Sequence, residues 1–350
     1  PIGLNKLFPN WQNMGAPIKT KVSDDKFYFL GPAGGIRIPN ILMPPLMSNH
    51  GNYIVSMSKV CRWLAIQAEK LGVEIFPGMA CSELIYGNSN ELKGVIAGEF
   101  GKNSSGEPGS MYEPGMEVLG KYIFIAEGVR GSLAKNIISN YNLAKNSDFP
   151  KFGIGIKEVW EVESGKHREG QVVHTMGWPL GNSTGGGSFL YHGSDNQVYV
   201  GFVVHLNYKN PHLFPYKEFQ RFKHHPFIYD LLQGGKRIEY GARAISEGGV
   251  QSVPKLSFPG GVLIGCSAGF VNVPRIKGNH NAILSGIAAA ESVNLALNKG
   301  RSNDLLYEYE KKIMNGLVFK DLNPVKNVKP LWSRLGLFLG IMPVSYTHLR

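Results

Sequence analysis

The chain has 350 residues, 43% hydrophobic and 18% charged, which is enough apolar content for packed cores, so disorder is not the default reading. Lys and Arg outnumber Asp and Glu by 37 to 26, and the net charge of +11 suits an anionic surface. The basic residues are dispersed rather than interleaved with aromatics, which argues against nucleic acid as a partner. Cys61, Cys81 and Cys266 form neither a CxxC pair nor a cluster-ligand run, so no disulfide framework is expected.

Residues 1–35 carry many turn formers and no clear periodicity. Next comes "IRIPNILMPPLMSNHGNYIV" (36–55), an apolar run broken by Pro39, Pro44 and Pro45. Prolines at these positions bar a regular helix and a central strand. "SMSKVCRWLAIQAEKLG" then reads as a helix, with Val60, Leu64, Ala68 and Leu71 at helical spacing, Trp63 alongside and Gly72 as its stop. "VEIF" (73–76) reads as a short strand. "ELKGVIAGEFG" and "EVLGKYIFIAEG" are further strands, joined by a long polar loop or hairpin tip.

Beyond residue 150 the pattern changes. "FGIGIKEVWEV", "QVVHTMGW", "GSFLYH" and "QVYVGFVVHLNY" are β-rich with close turns, as in an antiparallel sheet. "YKEFQRFKHHPFIYDLL" reads as a helix with a kink or start at Pro226, and "KRIEYGARAI" as another strand. "GGVLIGCSAGFVNVPRIKGNHNAILSGIAAAESVNLAL" reads as strand, glycine-containing loop and small-residue helix. "DLLYEYEKKIMNGLVF" is a helix, and a basic segment follows it. The fold class is therefore α/β (α+β), with an antiparallel sheet inserted between two α/β stretches. No apolar segment reaches the ~18 residues of a membrane-spanning helix.

Three segments can carry chemistry. "YIFIAEGVRGSLAK" is a strand, tight turn and helix start, where Gly128 and Gly131 let backbone approach a ligand, although ordinary turns share this pattern. "VLIGCSAGFVNVPRIKGNHNAILSG" brings Gly265 and Cys266 to a loop and opens a helix at Gly278, Asn279, His280 and Asn281. The N–H groups there are free to bind an electron-rich group. "STGGGSFLYH" sets Gly186 and Gly187 before an apolar strand, either as a hairpin turn or as bare backbone against a flat ligand. "KHHPF" and the basic tail read as solvated surface, because the His pair lacks a third convergent metal ligand. Cys266 reads as a packed residue rather than a nucleophile.

Taken in order, "MSNHGNYIV", "AEKLGVEIFPG", "IFIAEGVRGSLAK", "FGIGIKEVW", "HTMGWPL", "GGSFLYH", "NPHLFPYKEFQRFKHHP", "GGKRIEYGARAISEGG" and "GCSAGFVNVPRIKG" resemble the electron-transfer flavoprotein:ubiquinone oxidoreductases, from about residue 4 to Met342. The resemblance implies an FAD-binding domain of glutathione-reductase-like or hydroxylase-like type with an inserted antiparallel-sheet ubiquinone-binding domain. Residues 1–150 would be FAD domain, with a membrane and quinone loop at 31–47. Residues 151–254 would be the quinone domain, 255–300 the return to the FAD domain, and 301–342 a C-terminal helix and the start of a membrane-proximal segment.

It further implies FAD contacts at Ala80, Ala126, Gly128, Gly265, Cys266, Gly278, Asn279, His280 and Asn281. Ubiquinone would be held at Gly186 and Gly187, and membrane contact made by Ile38, Ile41, Leu42, Met43, Leu46 and Met47. The implied partners are electron-transfer flavoprotein as electron donor, ubiquinone and a lipid surface. That surface would be the matrix face of the mitochondrial inner membrane or the cytoplasmic face of a bacterial membrane.

The chain departs from the family pattern in several places. No GxGxxG segment precedes residue 36. The C-terminal cysteines of the family's ferredoxin-like domain, ligands of a 4Fe-4S cluster expected in the parent protein, are absent. The chain starts at Pro1, and "PVSYTHLR" (343–350) does not continue the pattern, so truncation at both ends and a non-native tail are expected. The family often has an aromatic residue where Gly185 stands and Thr where Asn279 and Asn281 stand. Another FAD enzyme of related fold, such as a prenyl-lipid reductase or an aromatic hydroxylase, is the alternative reading. A membrane-binding module without activity is a third.

Overall fold

The computed structural model describes residues 1–336, so the expected tail at 343–350 lies outside the described residues. The opening residues are more ordered than their sequence suggests. They form helix α1 (Ile2–Leu7) and strands β1 (Thr20–Lys21), β2 (Asp24–Leu30) and β3 (Gly35–Ile38). Leu4, Trp11 and Ala16 bury themselves against Trp63, whose indole N–H donates to the Met14 carbonyl at 3.1 Å. Two single 3-10 turns, Asn40–Leu42 and Pro45–Met47, carry the proline-broken run.

Strand β4 (Tyr53–Ile54) pairs with β1, and helix α2 (Met57–Glu69) follows it. The buried stripe of α2 is Val60, Trp63 and Gln67, at helical spacing. Leu71, expected on that stripe, is 78% exposed, because the helix has ended before it. The expected strand at 73–76 does not form. No partner pairs with it among the described residues, and Val73, Ile75 and Phe76 stay exposed. Strands β5 (Cys81–Tyr86) and β6 (Leu92–Ala97), the hairpin β7 (Phe100–Lys102) and β8 (Pro108–Glu113), and β9 (Met116–Leu119) come next. Strands β5, β6 and β9 make one sheet. Strand β10 (Ile123–Ile125) then runs into helix α3 (Ser132–Asn140).

The β-rich stretch holds β11 (Phe152–Glu161), β12 (Gln171–Gly177), β13 (Gly186–His192) and β14 (Gln197–His205). Helices α4 (Pro215–Lys223) and α5 (Pro226–Leu232) and strand β15 (Lys236–Ser246) complete it. These strands form a seven-stranded sheet in the order β15-β11-β14-β13-β12-β2-β3. Its pairs are antiparallel except β12 with β2, which is parallel. Residues 24–38, expected in the first lobe, thus belong to this sheet. Val198, Val200, Phe202 and Val204 alternate along β14 and pack on Phe219, Phe222 and Ile228 of the two helices. Each such burial removes roughly 2 kcal/mol of apolar exposure. His225, read as solvated, is 1% exposed and caps α5, accepting from the Phe227 N–H while its Nε2 donates to the Gly31 carbonyl.

The chain then returns to the first core through β16 (Ser257–Phe258), β17 (Gly261–Leu263), α6 (Asn279–Asn298), α7 (Tyr307–Asn315) and α8 (Leu317–Leu322). One buried cluster joins Leu92, Ile125 and Ile137 to Phe258, Leu263, Ala289, Tyr309 and Leu322. The long helix expected at the end is split at Gly316 into α7 and α8. Residues 328–336 are helical. Among the described residues no helix is long and apolar enough to cross a membrane.

Candidate functional site

Strands β10 and β17 are parallel neighbours, so their carboxyl ends deliver two loops side by side. One loop carries Ala126, Gly128 and Val129, and the other Gly265 and Cys266. They are tied by Ser267 Oγ, which donates to the Gly128 carbonyl at 3.3 Å. Gly265 has φ +57, and its N–H donates to the buried Ser285 hydroxyl of α6 at 3.0 Å. A side chain there would be strained by that backbone angle, and the loop sits within van der Waals reach of the small Ala282 on α6.

A cavity of about 290 Å³ lies between these loops and the seven-stranded sheet. Its sheet side includes Gly186, Gly187, Val203, His205 and Ala244. Its loop side includes Val129, Cys266, Lys277, Gly278 and Asn279, with Met47 and Trp332 also in the wall. The cavity therefore brings together five residues singled out from sequence as two separate groups: Gly186, Gly187, Cys266, Gly278 and Asn279. Ala80 and Ala126 are exposed loop residues outside its wall, and Gly128 and Gly265 do not line it either.

His280 and Asn281 are not in the wall either. Asn281 is fully buried, and its amide donates to the Phe270 carbonyl at 3.2 Å and to Asp321 Oδ2 at 3.0 Å. His280 Nε2 is 3.0 Å from the same carboxylate oxygen, and Arg275 and Asn272 also bond Asp321. Burial alone would raise the Asp321 carboxyl. The hydrogen bond and charge of His280, with bonds from Asn272 and Asn281, outweigh it and hold the carboxyl far below the usual range. Asp321 was invisible in the sequence as a site residue because it lies 40 residues beyond the segment it fastens. What α6 offers the cavity is its first turn, where no side chain caps the helix.

The two glycines of β13 have a structural cause. Gly186 has φ +153, and a Cβ there would collide with the Val203 carbonyl oxygen. A Cβ at Gly187 would lie 2.8 Å from the Thr175 carbonyl oxygen on β12. Close strand approach thus requires both residues, and the same absence of side chains bares backbone to the cavity.

The proline-broken loop is fastened from below. Asn40 Nδ2 donates to the Asp25 carbonyl at 2.9 Å, and the Asn49 N–H donates to the Asp25 carboxylate at 2.8 Å. Ile38, Met43 and Met47 pack on Phe27 and Met176, and Leu46 packs on Val325 and Val328. Of the six residues expected to face lipid, only Ile41 (92%) and Leu42 (65%) are largely exposed. Ile36, not among them, is 74% exposed. A smaller cleft of about 90 Å³, lined by Met43, Pro44 and Pro45, shares Phe27, Met47 and His174 with the larger cavity, so the loop lies next to both.

The cavity wall carries charged and polar groups that the sequence did not disclose, Lys277 and the His205–Glu247 pair among them. Lys277 Nζ donates to Asn49 Oδ1 at 2.7 Å. Burial, with the Arg275 charge, brings its amine down to about 8, against the pull of Asp25 and Asp321. On the sheet side, His205, Glu247 and Lys329 form a buried group, each 5% exposed or less. Lys329, expected at the surface, is drawn in by Glu247 Oε2 at 2.7 Å. Burial raises the Cys266 thiol, which fits a packed residue. Among the described residues no group of three or more His, Cys, Asp or Glu could hold a metal ion, so the residues present do not fit an iron–sulfur cluster.

Residues 152–245, which include β11 to β14 and most of β15, match the family described as ETF-QO, ubiquinone-binding. The chain is 47% identical over 343 residues to an electron transfer flavoprotein-ubiquinone oxidoreductase of Pseudomonas aeruginosa, covering 97% of the chain and 62% of that protein. It is 46% identical over 354 residues to the human mitochondrial protein of the same name, covering 98% of the chain and 57% of the relative. The chain thus spans about three fifths of the length of these curated relatives. Among solved structures, a geranylgeranyl bacteriochlorophyll reductase-like protein of Thermoplasma acidophilum superposes with a TM-score of 0.68 at 18% identity, over 95% of the chain and 76% of that structure. A point mutant of the halogenase PltM in complex with FAD gives 0.59 at 15% identity, over 95% of the chain and 66% of that structure. At these identities the likeness is one of fold.

Proposed function

Because the chain belongs to the electron transfer flavoprotein-ubiquinone oxidoreductase family, we propose that it forms the flavin- and quinone-handling part of an enzyme that accepts electrons from reduced electron transfer flavoprotein and delivers them to ubiquinone at a membrane surface. The observation that carries this reading is the cavity itself. It sets the bare backbone of Gly186 and Gly187 opposite Cys266, Gly278 and the uncapped start of α6. FAD, when bound, supplies two-electron redox chemistry.

On the loop side, Val129, Cys266, Gly278 and Asn279 would hold the flavin, and the first-turn N–H groups of α6 would stabilise negative charge on it. On the sheet side, Gly186 and Gly187 would present hydrogen-bonding backbone to a quinone carbonyl, and Val203 and Ala244 an apolar surface to its ring. Ile36, Ile41 and Leu42 would dip into lipid, and the cleft behind them would admit an isoprenoid tail. The backbone of such an irregular loop cannot span a bilayer unsatisfied, so its contact is peripheral. An iron–sulfur cluster belongs, in this reading, to the parent protein and uses none of the described residues.

The test is ligand binding. The purified chain, incubated with FAD and desalted, should keep a flavin absorbance spectrum, and a short-chain ubiquinone should quench its tryptophan fluorescence saturably. Ala244→Trp, which fills the sheet side, should weaken quinone binding at least tenfold and leave flavin content unchanged. Retention of neither ligand by the wild-type chain would overturn the reading.

A further inference from the structure

We propose that the Nδ1–H of His174 donates the hydrogen bond that holds the second carbonyl oxygen of the quinone, the first lying at the Gly186–Gly187 backbone, and that Tyr191 fixes the histidine in the tautomer this requires; the inference rests on the quinone reading above. His174 belongs to β12 and lines both the cavity and the adjoining cleft. It pairs in register with Phe27 of β2 on one side and Phe189 of β13 on the other, and both of these line the cavity too. Thr175 pairs with Ser188, so Gly187 is a diagonal neighbour of His174 on the same face of the sheet. Such neighbours are roughly 7–8 Å apart, so one six-membered ring can reach both with its opposite carbonyls.

The two ring nitrogens have different surroundings. Nε2 is 2.7 Å from the Tyr191 hydroxyl. Nδ1 has no partner among the described residues, yet it is not sealed in the protein, so the 5% of this residue that stays accessible includes it. The spaces it opens to are the cavity and the cleft.

Tyr191 decides which nitrogen carries the proton. Its ring stacks on Phe189, with centroids 4.5 Å apart. Its hydroxyl has no acceptor other than His174 Nε2 among the described residues, and a buried O–H without an acceptor is costly. The phenol therefore donates, Nε2 accepts, and the neutral ring carries its proton on Nδ1. Burial, with the Asp25 charge, raises the Tyr191 phenol, so it keeps the proton it donates. Burial, with the Lys277 charge, keeps the imidazole neutral, at about 3. Lys277 itself bonds Asn49 Oδ1 at 2.7 Å and the Arg275 carbonyl at 3.0 Å.

Around His174 the sheet side of the cavity is apolar, with Phe27, Met176, Phe189 and Val203. In such surroundings a single N–H decides how a flat ring lies. The bond strengthens as electrons from the reduced flavin of the proposed function build negative charge on the quinone oxygens. Reduction to the quinol takes two electrons from that flavin and two protons from water, and His174 keeps its own.

Nitrogen-15 NMR of histidine-labelled protein at pH 7 gives the first test, with the His174 signals identified by their loss in His174→Phe. His174 should be neutral and protonated on Nδ1, and a short-chain ubiquinone should shift that nitrogen saturably. An Nε2–H tautomer, an imidazolium, or a shift with FAD and none with ubiquinone would overturn the proposal. Tryptophan quenching gives the second test. His174→Phe should weaken ubiquinone binding about tenfold, the scale of one hydrogen bond, and leave flavin content unchanged. Tyr191→Phe, which removes only a hydroxyl, should move His174 toward the Nε2–H tautomer and weaken binding about threefold, as expected when the donor form is only partly populated. Wild-type affinity in folded His174→Phe would overturn the proposal, and if that variant does not fold, wild-type affinity in Tyr191→Phe would do so. Absence of saturable ubiquinone binding by the wild-type protein would instead overturn the quinone reading.

Discussion

The side-chain amide of Asn281, in the first turn of α6, donates to the Asp321 carboxylate of α8 at 3.0 Å. This bond closes a ring of contacts around one carboxylate that also takes in Asn272, Arg275 and His280. The segment from Asn272 to Asn281 contains the Lys277–Asn279 stretch of the cavity wall, so a residue outside the cavity sets its shape.

Asp321→Ala should therefore cost about 3 kcal/mol, because it leaves a half-buried Arg275 and a fully buried Asn281 without their shared acceptor. The flavin affinity of the chain should fall with it. Urea unfolding and flavin retention after desalting check both. A change below about 0.5 kcal/mol, the scale of an ordinary surface substitution, would show that the ring of contacts is not needed.

Gly187→Ala should destabilise the protein by roughly 1–3 kcal/mol with no ligand present, since its Cβ would meet the Thr175 carbonyl oxygen at 2.8 Å. Variants at these glycines cannot by themselves separate a quinone site from a tight sheet. If Gly187→Ala unfolds at the wild-type urea concentration, β12 and β13 have more room than the structure gives them.

The proline-broken loop makes a prediction about which side chains meet lipid. Ile41→Asp with Leu42→Asp should abolish flotation with anionic liposomes and leave the unfolding midpoint unchanged, because both residues are exposed. Leu46→Asp should instead unfold the loop locally, since Leu46 packs on Val325 and Val328. Equal flotation of the double variant and wild type would remove the loop from the membrane face.

What the sequence disclosed and what it hid differ in range. Helix α2, the strands β11 to β15 and the strand–loop–helix at Gly261–Asn298 follow from periodicity within 10 to 20 residues, and they stand where that periodicity puts them. The strand expected at 73–76 needed a partner, and an apolar run cannot announce whether one pairs with it. Residues 24–38 joined the far sheet through a parallel pairing with β12, about 147 residues away, which no local pattern encodes. The site divides the same way. Glycines and helix starts are legible because backbone geometry selects them locally. Asp321, Glu247 and Lys329 act through side chains converging from distant segments, and a buried lysine looks in sequence like any other lysine in a basic tail.

Acid should weaken this fold before its carboxylates protonate. His174 and His192 are buried, at 5% and 2% exposure. Burial, with the charge of Lys277, lowers His174 to about 3. Burial, with His167, Arg168 and Lys26, lowers His192 to about 4. In the unfolded chain each takes up its proton near pH 6.5, so between pH 6.5 and about 4 the unfolded state binds more protons than the native state. Stability from these groups is therefore full above pH 6.5 and falls as the pH drops through that window. At pH 5 the loss is roughly 2 kcal/mol per histidine. Glu247, whose carboxyl burial raises, works in the opposite direction and recovers part of it. Urea unfolding at pH 7 and pH 5 measures the sum. His192→Asn keeps an acceptor for the Arg168 N–H, which His192 Nδ1 receives at 3.1 Å, but cannot titrate. It should lose less stability between the two pH values than wild type by about 2 kcal/mol. An identical loss in both proteins would mean that His192 is already charged in the native state.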